Sequence, residues 1–164
     1  MRVFSEELRR EYSVDARFVT FDFSKRDAPE ELFEWLDSNK LVKRIQILVN
    51  CAGFGVTRRF IATDGAVLED MVTVNSLTYM KLARLLVPSM VARQEGRVMF
   101  VNSLASYSPT PLEAVYGATK AFGHNFGLAL RNELSGTGVM VTNVMPGITT
   151  TGFFASSGCS KCVD

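Results

Sequence analysis

The sequence has little of what marks several large classes of protein. Among its 164 residues there are three cysteines and one histidine, and the formal net charge is only +1. No apolar run approaches the roughly 18 residues that a membrane-spanning helix needs, and the first residues are charged rather than typical of a secretion signal. No cluster of Lys and Arg is broader than Arg58-Arg59. These absences argue against a membrane segment in this chain, a disulfide-stapled scaffold and a nucleic-acid interface.

The cysteines and the histidine form no pattern of metal ligands. Cys159 and Cys162 have the separation of a metal or redox pair, but no second pair of ligands accompanies them. His124 has no cysteine or carboxylate at ligand spacing, so we interpret it as a packing or interface residue. Cys51 is expected at the buried end of a strand, and an odd cysteine count suits a reducing compartment. We therefore predict no metal site and a cytoplasmic location.

Apolar segments of strand length alternate with amphipathic segments of helix length. A helix is predicted to begin at a cap at Ser24, with Pro29 in its first turn. This helix is predicted to continue to about residue 39, and further helices are predicted at 1–12, 66–93 and 115–134. Strands are predicted at 16–21, 45–49, 98–101 and 139–144. Strands that alternate with helices form a parallel sheet with crossover helices. The sequence thus predicts a single α/β domain over residues 1–164.

Polar and small residues follow the predicted strands at the ends where a parallel sheet binds ligands. Asp22, the segment 50–53, Ser103 and Pro146-Gly147 all come at carboxyl ends of strands. In an open parallel sheet these ends meet at one edge. Small residues there let the backbone approach a flat ring closely. Four chain segments are thus expected to converge on one site, as a nucleotide requires.

The segment from Val98 to Lys120 contains three residues that together could act on a substrate. Tyr116 and Lys120 are four residues apart and share one face of the predicted helix. A tyrosine hydroxyl has a pKa of about 10, and a nearby ammonium favours its ionised form. Ser103, brought in from the preceding strand end, would hydrogen-bond a carbonyl oxygen as charge builds there. The three residues therefore predict an acid-base device for a carbonyl/alcohol pair.

This arrangement resembles the short-chain dehydrogenase/reductase family, whose active site is built on a serine, a tyrosine and a lysine so spaced. Asn50-Cys51-Ala52-Gly53 is similar to the family's Asn-Asn-Ala-Gly element, and the segment 146–151 is similar to its proline-glycine element. The resemblance implies a partial Rossmann-like, doubly wound parallel sheet in three layers, with helices on both faces. It also implies a catalytic set of Asn75, Ser103, Tyr116 and Lys120.

The same resemblance assigns the cofactor contacts. Asp22 would accept a hydrogen bond from the adenine amino group, the Thr149 backbone would meet the nicotinamide carboxamide, and Thr151 would meet a phosphate. Lys120 would hold the nicotinamide ribose, and Asn75 would hold a water that links the lysine to solvent. From the residues alone, Asp22 is equally well a helix cap and Asn75 a polar residue at a helix bend. The cofactor-binding residues so implied are Asp22, Phe23, Asn50, Ala52, Gly53, Tyr116, Lys120, Pro146, Gly147, Thr149 and Thr151.

Three features depart from the family's pattern. Cys51 stands where the family has a second asparagine, and the family's first strand with its turn Thr-Gly-x-x-x-Gly-x-Gly is nowhere in the sequence. That turn brings a pyrophosphate onto a helix N-terminus. The family's last strand is also missing after Thr151. We therefore expect a truncated, incomplete domain, with an uncovered apolar edge on 45–49 unless 16–21 moves inward to cover it.

Two functions follow as hypotheses. The resemblance implies an oxidoreductase that interconverts a secondary alcohol and a ketone, with NADP(H) favoured and NAD(H) as the alternative. Leu112, Phe153 and Phe154 suggest an apolar, lipid- or steroid-like substrate. The rival hypothesis is a non-catalytic, truncated fragment that only binds a partner. The resemblance also implies a homo-oligomer, a dimer or tetramer, through the helices near 75–93 and 116–134.

Overall fold

The structure, a computed structural model, describes residues 2–149. Thr151, Phe153, Phe154, Cys159 and Cys162, named in the predictions above, lie outside the described residues. The α-helices are α1 (Arg2–Tyr12), α2 (Ala28–Ser38), α3 (Gly65–Val72), α4 (Thr78–Arg93) and α5 (Ala114–Glu133), and the strands are β1 (Ile47–Asn50), β2 (Gly96–Val101) and β3 (Val139–Val144). No helix within residues 2–149 has the length and apolar character needed to cross a bilayer.

The three strands form one parallel sheet in the order β1-β2-β3. Asn50 of β1 pairs with Phe100 of β2, and Phe100 pairs with Asn143 of β3. The chain crosses from β1 to β2 through α3 and α4, and from β2 to β3 through α5. This topology confirms the predicted α/β class with a parallel sheet, and it places the carboxyl ends of all three strands at one edge.

The hydrophobic core lies on the sheet face that α2, α4 and α5 cover. Side chains alternate between the two faces of a strand, so every second residue of each strand enters this core. On the opposite face Ile47, Val49 and Met140 are 57%, 50% and 62% exposed. The buried core residues are Leu48, Tyr79, Leu82, Ala83, Leu86, Val87, Met90, Val98, Phe100, Val139 and Val141.

The predicted strand at 16–21 is wrong, because residues 13–22 have no strand structure. A strand exists only where a neighbour takes its backbone hydrogen bonds, and within residues 2–149 no strand pairs with the outer edge of β1. The predicted cap at Ser24 is also wrong. Helix α2 begins at Ala28 after Asp27, while Pro29 does lie in its first turn.

The predicted long helix at 66–93 is interrupted. A π-helical turn, Thr73–Leu77, separates α3 from α4, and the Thr78 hydroxyl donates to the Thr73 carbonyl at 3.1 Å. Gly96 is the first residue of β2, where a Cβ would come within 2.6 Å of Met90. The helix is ended by Gln94, which takes the left-handed conformation at φ 56°.

Candidate active site

The segments that follow the three strands line one cavity of about 670 Å³. The β1 end contributes Gly53, the β2 end Ser103, and the β3 end the segment 146–149, while α5 crosses the cavity floor. Seven of the predicted site residues lie on its walls: Gly53, Ser103, Tyr116, Lys120, Pro146, Gly147 and Thr149. The structure therefore brings residues from four chain segments together at the carboxyl edge of the sheet.

Ser103 and Tyr116 both line this cavity, and their side chains are hydrogen-bonded to each other. Ser103 precedes a short 3-10 turn, Leu104–Ser106, and its Oγ accepts a hydrogen bond from the Ala105 N–H at 3.2 Å. Burial raises the pKa of Tyr116, the side-chain hydrogen bond with Ser103 works against that rise, and the Glu113 carboxylate adds to it. The net direction is upward, which is opposite to the expectation that Lys120 would lower this pKa, because loss of hydration outweighs the hydrogen bond.

Lys120 lies one helical turn after Tyr116 and is nearly enclosed. Its side chain is 5% exposed, and its Nζ donates to the Val101 carbonyl at 2.9 Å. The Nζ also lies 5.7 Å from the centre of the Tyr116 ring and 5.6 Å from that of Tyr79. Burial lowers the pKa of Lys120 to about 8. The ammonium is thus held at the end of β2, where it exchanges its proton closer to neutral pH than an exposed lysine does.

Asn75 sits in the π turn and is fully buried. Its Oδ1 accepts from the Phe54 N–H at 3.0 Å, and its Nδ2 donates to the Phe54 carbonyl at 2.8 Å and to Thr119 Oγ1 at 3.1 Å. Asn75 therefore lies in an irregular turn between two α-helices, and its amide has the partners that burial requires. Asn75 ties the loop after β1 to helix α5.

Gly53 is where that loop comes closest to the buried lysine. A Cβ on Gly53 would lie 3.0 Å from Asn75 Oδ1 and 3.5 Å from Lys120 Nζ. The first distance is tighter than an ordinary contact and the second is not, so a larger residue would crowd the Asn75 amide first. Glycine at this position thus avoids crowding the Asn75 amide.

The other residues of the Asn-Cys-Ala-Gly element are placed differently. Asn50 ends β1 and is buried, and its Nδ2 has no hydrogen-bond partner in the part of the chain that the structure describes. Ala52 is exposed. Cys51 was expected to be buried, but it is exposed and lines the cavity, because it follows the last residue of the strand and leaves the sheet.

Asp22 and Phe23 do not line the cavity. Asp22 is exposed and its Oδ1 accepts from the Ser24 N–H at 3.1 Å and the Ser24 hydroxyl at 2.8 Å. These two bonds lower the pKa of the Asp22 carboxyl. Phe23 packs against the core. Asp22 therefore closes a local turn here.

Two residues of the site were missed in the sequence. Thr119 is buried, and its hydroxyl accepts from Asn75 and donates to the Tyr116 carbonyl at 2.7 Å. A threonine inside a helix, next to a predicted catalytic lysine, was a usable signal. Glu113 lines the cavity and bonds to Thr57, which is 56 residues away in the sequence. No local pattern could have indicated that contact.

The family model described as short chain dehydrogenase matches residues 2–160 of the chain. The chain belongs to the short-chain dehydrogenase family. The sequence similarity to this family therefore covers both the cavity and the helices that build it.

Individual relatives agree with this assignment. The very-long-chain 3-oxoacyl-CoA reductase of Bos taurus is 30% identical over 146 residues, which are 87% of this chain and 46% of the relative. The NADP-dependent 3-hydroxy acid dehydrogenase of Escherichia coli strain K12 is 34% identical, with 87% and 57% covered. A short-chain dehydrogenase from Sphingobium yanoikuyae in complex with NADPH superposes with a TM-score of 0.88 at 27% identity, with 96% and 60% covered. The chain spans about half the length of the curated relatives that it matches.

Proposed function

We propose that this chain carries the catalytic part of an NADP(H)-dependent oxidoreductase that interconverts a secondary alcohol and a ketone. The observation that supports it most strongly is the single cavity in which Ser103, Tyr116 and Lys120 meet beside Gly53. The bovine and E. coli relatives are named as a reductase and a dehydrogenase, which is the same class of reaction.

The residues present fit the nicotinamide half of such a cofactor. A Cβ on Gly53 would crowd Asn75 Oδ1, so glycine lets this wall of the cavity lie close to the site, and Gly147 and Thr149 line the same cavity from the β3 end. Lys120 offers a donor for ribose hydroxyls at the same wall. NADP(H) is favoured because the E. coli relative is named as NADP-dependent and the Sphingobium structure contains NADPH, while NAD(H) remains the alternative. When bound, the reduced nicotinamide supplies a hydride to the substrate carbon.

The side chains of the cavity then handle the oxygen of the substrate. Ser103 Oγ donates a hydrogen bond to the carbonyl oxygen as negative charge builds there. Tyr116 has a raised pKa and is protonated at neutral pH, so its hydroxyl gives a proton to that oxygen. Lys120, whose pKa is about 8, then supplies a proton to replace the one that the Tyr116 hydroxyl has given away. This assignment favours ketone reduction at neutral pH and alcohol oxidation at higher pH.

Asn75 contributes by position. Its amide is engaged by Phe54 and Thr119, so it holds the loop that brings Gly53 against Lys120. A water relay at Asn75 would use its backbone carbonyl, in a π turn of the kind that is frequent at functional sites. The cavity walls also include Leu104 and Ile148, which suit an apolar substrate chain.

The first test is a thermal melt of the purified chain with and without NADPH or NADH. A ligand at one hundred times its Kd stabilises a single-site protein by about 2.7 kcal/mol, and about 1 kcal/mol moves the Tm by roughly 2–4 °C for a chain of this size. We expect a clear upward shift with NADPH and a smaller one with NADH. No shift with either nucleotide would contradict the proposed cofactor.

The second test is Tyr116→Phe. Loss of the hydroxyl should abolish NADPH-dependent ketone reduction and leave the melt nearly unchanged. The matched control is Tyr12→Phe, which removes a hydroxyl from an exposed tyrosine on α1. Retained activity in Tyr116→Phe would remove this residue from the mechanism.

A non-catalytic, partner-binding role is the second candidate, and the exposed face of α5 favours it. Phe122 and Leu128 of α5 are exposed apolar residues, and α5 also borders a groove of about 550 Å³ that includes Ala118 and Ala121. We propose that these surfaces pair with a second copy of the chain. Sedimentation of the parent and of Phe122→Lys tests this, because a monomer in both would contradict it.

A further inference from the structure

An acidic side chain lies in the cavity, and the mechanism above does not use it. Glu113 is the residue directly before α5, three positions before Tyr116, and it lines the cavity together with Ser108 and Thr110. Most of the neighbouring wall is apolar or hydroxylic. A carboxylate at this place is therefore the feature that would distinguish one polar substrate from another.

The backbone of Glu113 is held firmly. Its N–H donates to the Thr110 carbonyl at 3.0 Å, and its own carbonyl accepts from the Thr110 hydroxyl at 3.1 Å and from the Gly117 N–H at 2.9 Å. A Cβ on Gly117 would lie 2.2 Å from Thr110 Oγ1, so only glycine allows this packing. The segment 110–113 is thus fixed onto the first turn of α5.

The side chain is held as well. Glu113 Oε1 accepts a hydrogen bond from the Thr57 hydroxyl at 2.7 Å. The N–H of Arg58, the residue after Thr57, donates to the carbonyl of Leu112, the residue before Glu113, at 2.8 Å. Leu112 takes the left-handed conformation at φ 70°. A leucine adopts this conformation only when its surroundings enforce it. One bond to the carboxylate and one to the adjacent backbone therefore hold Glu113 against the loop after β1.

Within the described part of the chain, no ion pair involves the Glu113 carboxylate. The two ion pairs within residues 2–149 join other residues, Arg17 with Asp15 and Lys81 with Glu30. The Glu113 carboxylate also acts on the Tyr116 hydroxyl, whose pKa it helps to raise. The carboxylate lines the same cavity as Tyr116, so a small substrate held at Tyr116 can place a second polar group beside it.

We propose that Glu113 is a specificity-determining residue that favours substrates with a hydrogen-bond donor, a hydroxyl or an ammonium group, near the reacting carbon and rejects a free carboxylate there. The inference rests on the proposed function of the cavity. A 3-hydroxy acid, the substrate for which the E. coli relative is named, would bring a second negative charge against Glu113 and should be a poor substrate for this chain.

The test uses Glu113→Gln, which keeps the size of the side chain and its bond from Thr57 but removes the charge. Three secondary alcohols of nearly equal size serve as probes: 4-amino-2-butanol, 1,3-butanediol and 3-hydroxybutyrate. Binding of each to the chain with NADP+ is measured by NMR line broadening, and kcat/KM is measured where turnover occurs. We expect the parent to prefer the amine over the acid by about tenfold or more, with the diol between them, and Glu113→Gln to reduce this ratio to about threefold or less.

A control variant and a second readout complete the test. Glu133→Gln removes a carboxylate from the exposed end of α5 and should leave the ratio unchanged. Absorbance titration of tyrosinate should show a lower Tyr116 pKa in Glu113→Gln than in the parent. A preference for the acid, an unchanged ratio in Glu113→Gln, or no binding of any probe would overturn the inference. Selective binding without turnover would instead overturn the proposed oxidoreductase activity and leave the inference standing.

Discussion

The two faces of the sheet differ sharply in how they are covered. On one face Val98 and Phe100 lie against α2, α4 and α5 and are almost completely buried. On the other face Ile47, Val49 and Met140 are at least half exposed, although they are just as apolar. The catalytic candidates belong to the covered side, since Lys120 and Asn75 come from elements that pack there. The covered face thus carries both the stability and the site.

The largest expected difference between the faces comes from truncating Phe100. Phe100 is fully buried between Tyr79 and Phe126, with ring centres 5.8 Å and 5.4 Å away. Phe100→Ala should lower the free energy of unfolding by about 4 kcal/mol, because it removes apolar area and leaves a cavity. Met140→Ala, on the bare face of the neighbouring strand, should cost less than about 1 kcal/mol. Urea titration followed by circular dichroism measures both, and equal losses would contradict the comparison.

Replacing a buried polar side chain on the covered side should lower the free energy of unfolding nearly as much. Asn75→Leu keeps the approximate volume but leaves the Phe54 N–H, the Phe54 carbonyl and the Thr119 hydroxyl without this partner. We expect a loss of about 3 kcal/mol in the free energy of unfolding. The control is Asn132→Leu, an exposed asparagine on α5 that should be nearly neutral. A melt of Asn75→Leu that equals that of Asn132→Leu would show that the buried amide is not needed.

The sequence predicted the covered side better than the bare side, for a physical reason. Helix α4 buries a broad apolar stripe, and a stripe is visible in the local pattern whatever lies opposite it. The strand predicted at 16–21 failed because a strand depends on a neighbour, and Ala16 to Phe21 have none in residues 2–149. Apolar alternation alone does not reveal which neighbours are present.

The same distinction between local pattern and distant neighbours applies to the site residues. Ser103, Tyr116 and Lys120 were placed together because strand ends and helix periodicity determine their position. The partners of Asn75 and Glu113 come from residues 21 and 56 positions away, and such contacts depend on how loops fold against each other. The exposure of Cys51 depends on where the strand ends, and element boundaries are the weakest part of any sequence reading.

Lys120 gives the covered side a pH dependence that the bare face lacks. Its pKa is about 8 in the folded chain and 10.5 for an ordinary lysine, so the unfolded state binds more protons between these values. Stability should therefore rise with pH, by about 2 kcal/mol from about pH 7 to about pH 9.5. The raised pKa values of Tyr79 and Tyr116 act in the opposite direction, but only as pH passes the ordinary tyrosine value. In Lys120→Met the rise should be absent, and a parent chain whose stability stays flat over this range would contradict the burial of the ammonium.

The smallest expected effect tests how tightly α5 fits the covered face. A Cβ on Gly127 would lie 2.2 Å from Asn143 Oδ1, which accepts a hydrogen bond from Asn102 Nδ2 at 3.1 Å. Gly127→Ala gains about 1 kcal/mol of helix propensity, but overpacking costs about 1–3 kcal/mol, so we expect a net loss of about 1 kcal/mol. At Gly65, the first residue of α3, a Cβ would meet nothing within 4 Å, and Gly65→Ala should not destabilise the chain. A gain at both positions in thermal melts would mean that α5 moves away from β3 at little cost, because only then would the alanine methyl group at 127 find room.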